Sequence, residues 1–202
     1  MTSSRGCSGS CAGVALAAAL AVCAAPVAAY DMQVESASRE GDSYRVTVDA
    51  RVSTPEADVR SLMTDYAHLG RLNPSIRVSE IQRRRSPCEL RVRTVTEICV
   101  LFYCKRIHQV QDVTEAQDGS ITAVIVPDQS DFRRGYARLN LWQEAGGTRV
   151  RINGELEPDF WIPPLIGGWL VRRKLLEEAR ETIASLEQVA PLARMPQNSC
   201  KN

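Results

Sequence analysis

Few residues in this 202-residue chain could do chemistry, and their spacing argues against most catalytic schemes. The only histidines are His68 and His108. They lie forty positions apart with no identifiable third ligand or orienting acid, and a general base needs a partner and a position as well as its residue type. No GxSxG elbow, phosphate loop or HExxH is present. Each histidine therefore reads as structural or surface. No catalytic residue is assigned, and neither a metal nor a cofactor is expected. Asp65-Tyr66 reads as backbone hydrogen bonding and packing, and Asn73-Pro74 as a turn. An enzyme would need polar side chains such as Tyr44, His108 or Gln109 to converge in one cavity, and the sequence does not show that convergence.

The cysteines carry a second kind of chemistry. Arg5 precedes an Ala/Leu/Val-rich run from Val14 to Ala29 that ends in Val27-Ala28-Ala29, the form of a cleaved export signal. Residues 1–29 are thus expected to be a signal peptide, with a mature chain starting at Tyr30 in the periplasm or secreted. Lipoprotein processing at Cys23 is the alternative, although Val22 fits it poorly. At 16 residues the run falls short of the ~20 needed to span a bilayer. Cys7, Cys11 and Cys23 leave with the signal, and Cys88, Cys99, Cys104 and Cys200 enter an oxidising compartment. On one continuous strand Cys99 and Cys104 would stand about 16 Å apart, whereas a disulfide wants Cα atoms roughly 5.5 Å apart. Across a hairpin looped at Val100-Leu101-Phe102-Tyr103 they would face each other, so a disulfide there also predicts a turn. Two free buried thiols are the alternative. Nothing in the sequence pairs Cys88 or Cys200.

Arg5 is the only charged residue of the first 29, so the rest of the chain carries 24 basic against 24 acidic residues. That balance gives no support to nucleic-acid binding. About 170 residues suit one domain, and no linker or repeat divides them. The domain is expected over residues 30–191, followed by a flexible tail, 192–202.

The elements that would position these residues are legible from periodicity. Asp31 to Ser38 suggests a short first strand, turned at Glu40-Gly41-Asp42 into Tyr44–Val52, where apolar and polar residues alternate. Ser53-Thr54-Pro55-Glu56 predicts a capped helix running to about Tyr66, and a second helical turn around His68 to Leu72 stops before Pro74. Strands are expected over 76–84, 89–99, 104–115, 120–127, 135–144 and 148–157, with turns at Ser86-Pro87, Asp118-Gly119 and Gly146-Gly147. From Asp159 to Pro191, apolar residues at Leu165, Trp169, Leu176, Ala179, Ile183, Leu186 and Ala190 recur at three- and four-residue steps. This stripe predicts a helix of roughly 25 residues, about 38 Å long. Helices set to one side of an antiparallel sheet make an α+β domain. Alternation suggests an interior of Val46, Val48, Ala50, Val110, Ile121, Ala123, Ile125, Leu139, Leu141, Val150, Ile152 and Leu156.

The order resembles the START/polyketide-cyclase superfamily, and more narrowly its bacterial coenzyme Q-binding START-like members. The resemblance is carried by Tyr44 to Val52 leading to Pro55, by Leu62-Met63-Thr64-Asp65-Tyr66, by Leu72-Asn73-Pro74-Ser75-Ile76 with Ser79, and by Trp161-Ile162-Pro163-Pro164 with its helix. It implies a helix-grip fold: a curved antiparallel sheet of about seven strands wrapped around the long C-terminal helix, with two short helices after the first main strand. It also implies an internal cavity lined by Val48, Ile125, Leu141, Ile152, Trp169, Leu176 and Ile183, and a gate at Tyr66, Leu69, Leu72 and Pro74. Small residues, Gly154, Gly167, Gly168 and Ala179, are expected where space is left. Trp161, Ile162, Leu165, Arg172 and Arg173 combine apolar and cationic groups in a way suited to transient membrane-surface contact. The resulting expectation is an exported monomer that binds, and transfers, a hydrophobic small molecule such as a lipid, quinone or sterol-like compound. A cyclase or dehydratase, or an envelope interaction module with a filled core, are the rivals.

Overall fold

The computed structural model describes residues 31–100, 103–162, 167–189 and 200. The signal segment, the hairpin tip at 101–102, Pro163, Pro164, Leu165 and nearly all of the tail lie outside them.

Eight strands form one antiparallel sheet among the described residues, one more than the seven or so expected. They are β1 (Asp31–Glu40), β2 (Ser43–Val52), β3 (Ile76–Ser86), β4 (Glu89–Val100), β5 (Tyr103–Glu115), β6 (Ile121–Ile125), β7 (Phe132–Glu144) and β8 (Gly147–Pro158). The first strand, expected to be short over Asp31 to Ser38, runs ten residues as β1 and pairs with β2 along nearly its whole length. The spatial order is β1-β2-β8-β7-β6-β5-β4-β3. The turn into β8 depends on glycine, because a Cβ at Gly147 would stand 1.9 Å from the Val52 carbonyl oxygen.

Two helices and two 3-10 turns complete the α+β helix-grip architecture among the described residues: α1 (Glu56–Met63), the 3-10 turns Leu69–Arg71 and Pro127–Gln129, and α2 (Gly167–Gln188). Helix α1 ends three residues earlier than its periodicity suggests and has no side-chain cap, with Pro55 at its N-cap position. The reason lies across the fold. Thr54 Oγ1 donates to the Leu186 carbonyl at 2.7 Å and Ser53 Oγ donates to the Glu187 carboxylate, so the residues expected to cap α1 close the last turn of α2 instead.

Pairing register separates the two faces of the sheet, since directly opposed residues share a face. The concave face carries Val48, Ala50 and Val52 of β2, Val150 of β8, Leu139 and Leu141 of β7, and Leu90 and Val92 of β4. These meet Val59 and Leu62 of α1, Leu72, and Ile183 and Leu186 of α2 in one buried cluster. Val110 is buried as expected, 2% exposed, but on the convex side of the sheet, since its neighbour Gln111 pairs with inward-facing Val92 and Ile125; the connection through Val126 and Ser130, which hydrogen-bonds to its backbone, lies against it. In the middle of β5, between inward-facing Ile107 and Val113, Gln109 and Gln111 also point in, which hydrophobicity alone does not suggest.

Candidate ligand-binding site

The interior has two unlike halves. Towards α1 it is closed: Val48, Ala50, Val52, Val59, Val150, Ile183 and Leu186 have between none and 1% of their surface exposed. Towards the other end it is not. The concave face of β4 and β5 there carries Thr94, Thr96 and Ile98 opposite Gln109, Ile107 and Lys105. All six are only half-buried although they face inward. The cause is the path of α2, which packs on β1 and β2 at one edge of the sheet and, among the described residues, leaves the face of β4 and β5 uncovered along its first turns. The result is a concave surface with an aliphatic floor, a threonine and glutamine fringe and one lysine. Phe160 closes part of its rim, with its ring 4.7 Å from Lys105 Nζ and edge-on to Phe132 at 6.2 Å.

The expected cavity residues are divided between these halves. Val48 and Ile183 belong to the closed core, and Leu141 and Ile125 are also buried. Ile152 is half-buried against the closed core, and Leu176 is half-buried on α2. Trp169 corrects the expectation. It is 56% exposed, with the Arg173 guanidinium 5.5 Å above its ring, because the first turns of α2 present their apolar stripe partly to the outside. Gly154 leaves no space either, since a Cβ there would lie 3.3 Å from Val46 Cγ1.

The expected gate is fastened. Tyr66 and Leu72 lie in the buried cluster. The Tyr66 hydroxyl donates to Glu115 Oε1 at 3.2 Å, and its carbonyl accepts from Ser79 Oγ at 2.7 Å. Beyond Leu72, Asn73 Nδ2 and Ser75 Oγ donate to the two carboxylate oxygens of Glu178 on α2 at 2.6 and 3.0 Å, and Lys174 pairs with the same acid. Leu69 is half-buried and Pro74 exposed. A segment tied at this many points is a brace between β3 and α2, not a loose lid. Glu178, the hub of the brace, was not singled out in the sequence, where it reads as one more charge on a wet helix face.

Burial pushes the Glu115 carboxyl above its ordinary value, and the same burial pushes the Tyr66 hydroxyl up. The stability Glu115 lends when protonated is full below the ordinary carboxylate value and is lost as pH rises through the raised one. Tyr44, Gln109 and His108 do not converge in one cavity. Tyr44 and Gln109 face inward, but His108 is exposed on the convex face, where its backbone N–H donates to Asp131 Oδ2 at 2.8 Å. His68 Nδ1 lies 2.8 Å from Asp65 Oδ1 at the surface. Among the described residues no group of acids, cysteines and histidines is placed to hold a metal ion.

Cys99 and Cys104 are bonded across the β4–β5 hairpin, where they pair directly in register. Pairing continues to Val100 and Tyr103, so the hairpin loop is shorter than the four residues expected. A second disulfide, unassigned in the sequence, joins Cys88 to Cys200. Trp161 is 79% exposed, Ile162 is half-buried, and Arg172 and Arg173 are exposed.

A curved antiparallel sheet gripping one long helix defines a helix-grip domain. The chain belongs to the family described as polyketide cyclase/dehydrase and lipid transport, whose model matches residues 43–191. No curated protein sequence matches it significantly. Solved structures share the fold. A START superfamily protein from Mycobacterium smegmatis is 17% identical with a TM-score of 0.58, the match covering 71% of this chain and 97% of that one. A STAR-related lipid transfer protein fragment from Xanthomonas axonopodis is 18% identical with a TM-score of 0.56, covering 76% and 97%. The Zhui aromatase/cyclase from a Streptomyces species is 10% identical with a TM-score of 0.53, covering 71% and 89%.

Proposed function

We propose that the protein is an exported, monomeric carrier that holds a lipid, isoprenoid quinone or sterol-like compound on the open concave face and exchanges it with a membrane. One observation carries this reading: inward-facing side chains of β4 and β5 stay half-buried because α2 lies over the opposite edge of the sheet. Apolar area taken out of water there is worth roughly 25 cal/mol per Å², and the flanking threonines and glutamines orient whatever polar group the ligand bears. The family's lipid-transport description supports the ligand class, as does the lipid-transfer name of the Xanthomonas structure. Trp161, Ile162 and Trp169 beside Arg172 and Arg173 supply an interfacial surface at the same end of the molecule. The cysteine pairs suit export, since disulfides persist in oxidising compartments.

Native mass spectrometry of protein purified gently from the exported fraction, followed by solvent extraction, tests all parts at once. The expected species starts at Tyr30, is a single chain and carries one apolar small molecule. Protein that is empty, and takes up nothing from a panel of lipids, quinones and sterols, overturns the carrier reading in favour of an interaction module.

A further inference from the structure

Cross-strand ion pairs account for the arginines of the convex face but not for its exposed apolar groups. Val124 is 48%, Tyr136 47% and Trp142 43% exposed. Along β7, Tyr136, Arg138, Asn140 and Trp142 share the side opposite to inward-facing Leu139 and Leu141, because successive strand residues alternate. Val124 of β6 pairs directly with Tyr136, so the two make one apolar platform. Trp142 makes a second, six residues on and about 20 Å away at the rise of a strand.

Between the platforms the surface is polar and its charges are matched. One register row runs Thr122, Arg138, Asn153 and Thr47 across β6, β7, β8 and β2, about 14 Å wide, and Asn140 stands beside it on β7. Among the described residues, the side chains of Thr47, Thr122, Asn140 and Asn153 have no hydrogen-bond partner in the protein. Each of these amides and hydroxyls can both donate and accept. The guanidinium groups alongside are neutralised: Arg138 by Asp118 at 3.4 Å, Arg45 by Glu155 at 3.2 Å, and Arg149 and Arg151 by Asp49.

These features select the partner. Matched charge exerts little pull on a polyanion or an anionic bilayer. Strands β7 and β8 lie inside the sheet, so this surface offers no free backbone edge for a peptide strand to pair with. A sugar chain carries both complements, apolar C–H faces for the rings and hydroxyls for the amide row. We propose that the convex face of β6, β7, β8 and β2 docks a neutral polysaccharide laid along β7 from Tyr136 to Trp142. The surface lies on the opposite side of the sheet from the concave face and is independent of the carrier reading. It would hold the protein on a polymer while the concave face handles cargo.

Calorimetry on the mature protein tests this with the dimers and hexamers of β-1,4-linked glucose and of β-1,4-linked N-acetylglucosamine, and with polygalacturonate as an anionic polymer. At least one hexamer should bind about tenfold or more tightly than its dimer, which reaches a single platform. Tyr136→Ala and Trp142→Ala should each weaken that hexamer about fivefold or more, as loss of an aromatic contact implies. Asn153→Ala should weaken it severalfold. Both aromatic side chains are exposed, so melting temperatures should hold within a few degrees, and if one variant fails to fold the other two carry the test. Failure of both hexamers to bind overturns the inference. Native affinity in both aromatic variants would place the sugar elsewhere and sink the site. Polygalacturonate binding more tightly than either hexamer would make the partner a polyanion and overturn the neutral assignment. Self-association in sedimentation that Trp142→Ala abolishes would make the face an interface between copies and overturn it too. Hexamer binding by a protein that takes up no lipid supports this inference and removes the carrier reading alone.

Discussion

Asp49 sits on the convex face with 4% of its surface exposed and takes two guanidinium groups, Arg149 at 2.7 Å and Arg151 at 2.6 Å. Arg151 also lies 5.3 Å over the Trp142 ring. The hydrogen bond from Arg149 is the largest cause holding the Asp49 carboxyl below its ordinary value, and Arg91 does the same for Asp112 on β5. A depressed folded value means that the stabilisation is complete above the unfolded carboxylate value, near 4, and is lost as pH falls through the folded one. Asp49→Asn should therefore cost about 1–2 kcal/mol at neutral pH, the low end for a buried partner because both arginines reach solvent. The deficit should shrink towards zero as the medium is acidified below about pH 3, where the native acid is protonated as well. Thermal unfolding of both proteins at neutral and acid pH measures it. A deficit that does not change with pH would show that the cost comes from packing and not from charge.

At the scale of elements, the strands and α2 were legible because alternation and a 3.6-residue stripe are written directly into composition. The middle of β5 was not: Gln109 and Gln111 face in, and Val110 is buried on the other side of the sheet, which only register with β4 and β6 reveals. Arginine richness, which looks like habit in a bare sequence, becomes a cross-strand lattice on the convex face through Arg45–Glu155, Arg93–Glu80, Arg106–Glu97 and Arg134–Glu157. The disulfides show the same division. Cys99–Cys104 spans five residues of sequence and could be argued from spacing, whereas Cys88–Cys200 spans 112 and could not. Chain entropy ranks them the other way for stability, about 2 kcal/mol for the short loop against nearly 5 for the long one. Replacing Cys88 and Cys200 by alanine should lower the midpoint of urea unfolding well beyond the loss caused by replacing Cys99 and Cys104. Equal losses would mean that the unfolded chain is not constrained by the long bridge as this argument requires.

Across the whole molecule, closed core and open groove lie at opposite ends of one helix. Glu187 and Leu186 are tied to Ser53 and Thr54 at the closed end, while Trp169 and Trp161 are exposed at the other. No helix among the described residues is long and apolar enough to cross a membrane. Contact with a bilayer through the helices would thus be peripheral, and two exposed indoles beside Arg172 and Arg173 are the groups to make it. Burying such rings at the interface is worth about 1–2 kcal/mol each, and the two arginines add an attraction to anionic lipid that salt weakens. Trp161→Ala with Trp169→Ala should reduce partitioning into vesicles of mixed zwitterionic and anionic lipid by roughly tenfold or more, as this apolar term implies. Arg172→Gln with Arg173→Gln should instead remove most of the salt dependence. Neither pair lies in the closed core, so melting temperatures should hold within a few degrees, and cosedimentation at two salt concentrations separates the two effects. If the tryptophan variant partitions like the native protein, this end of the molecule is not the docking face, and cargo must enter the groove without it.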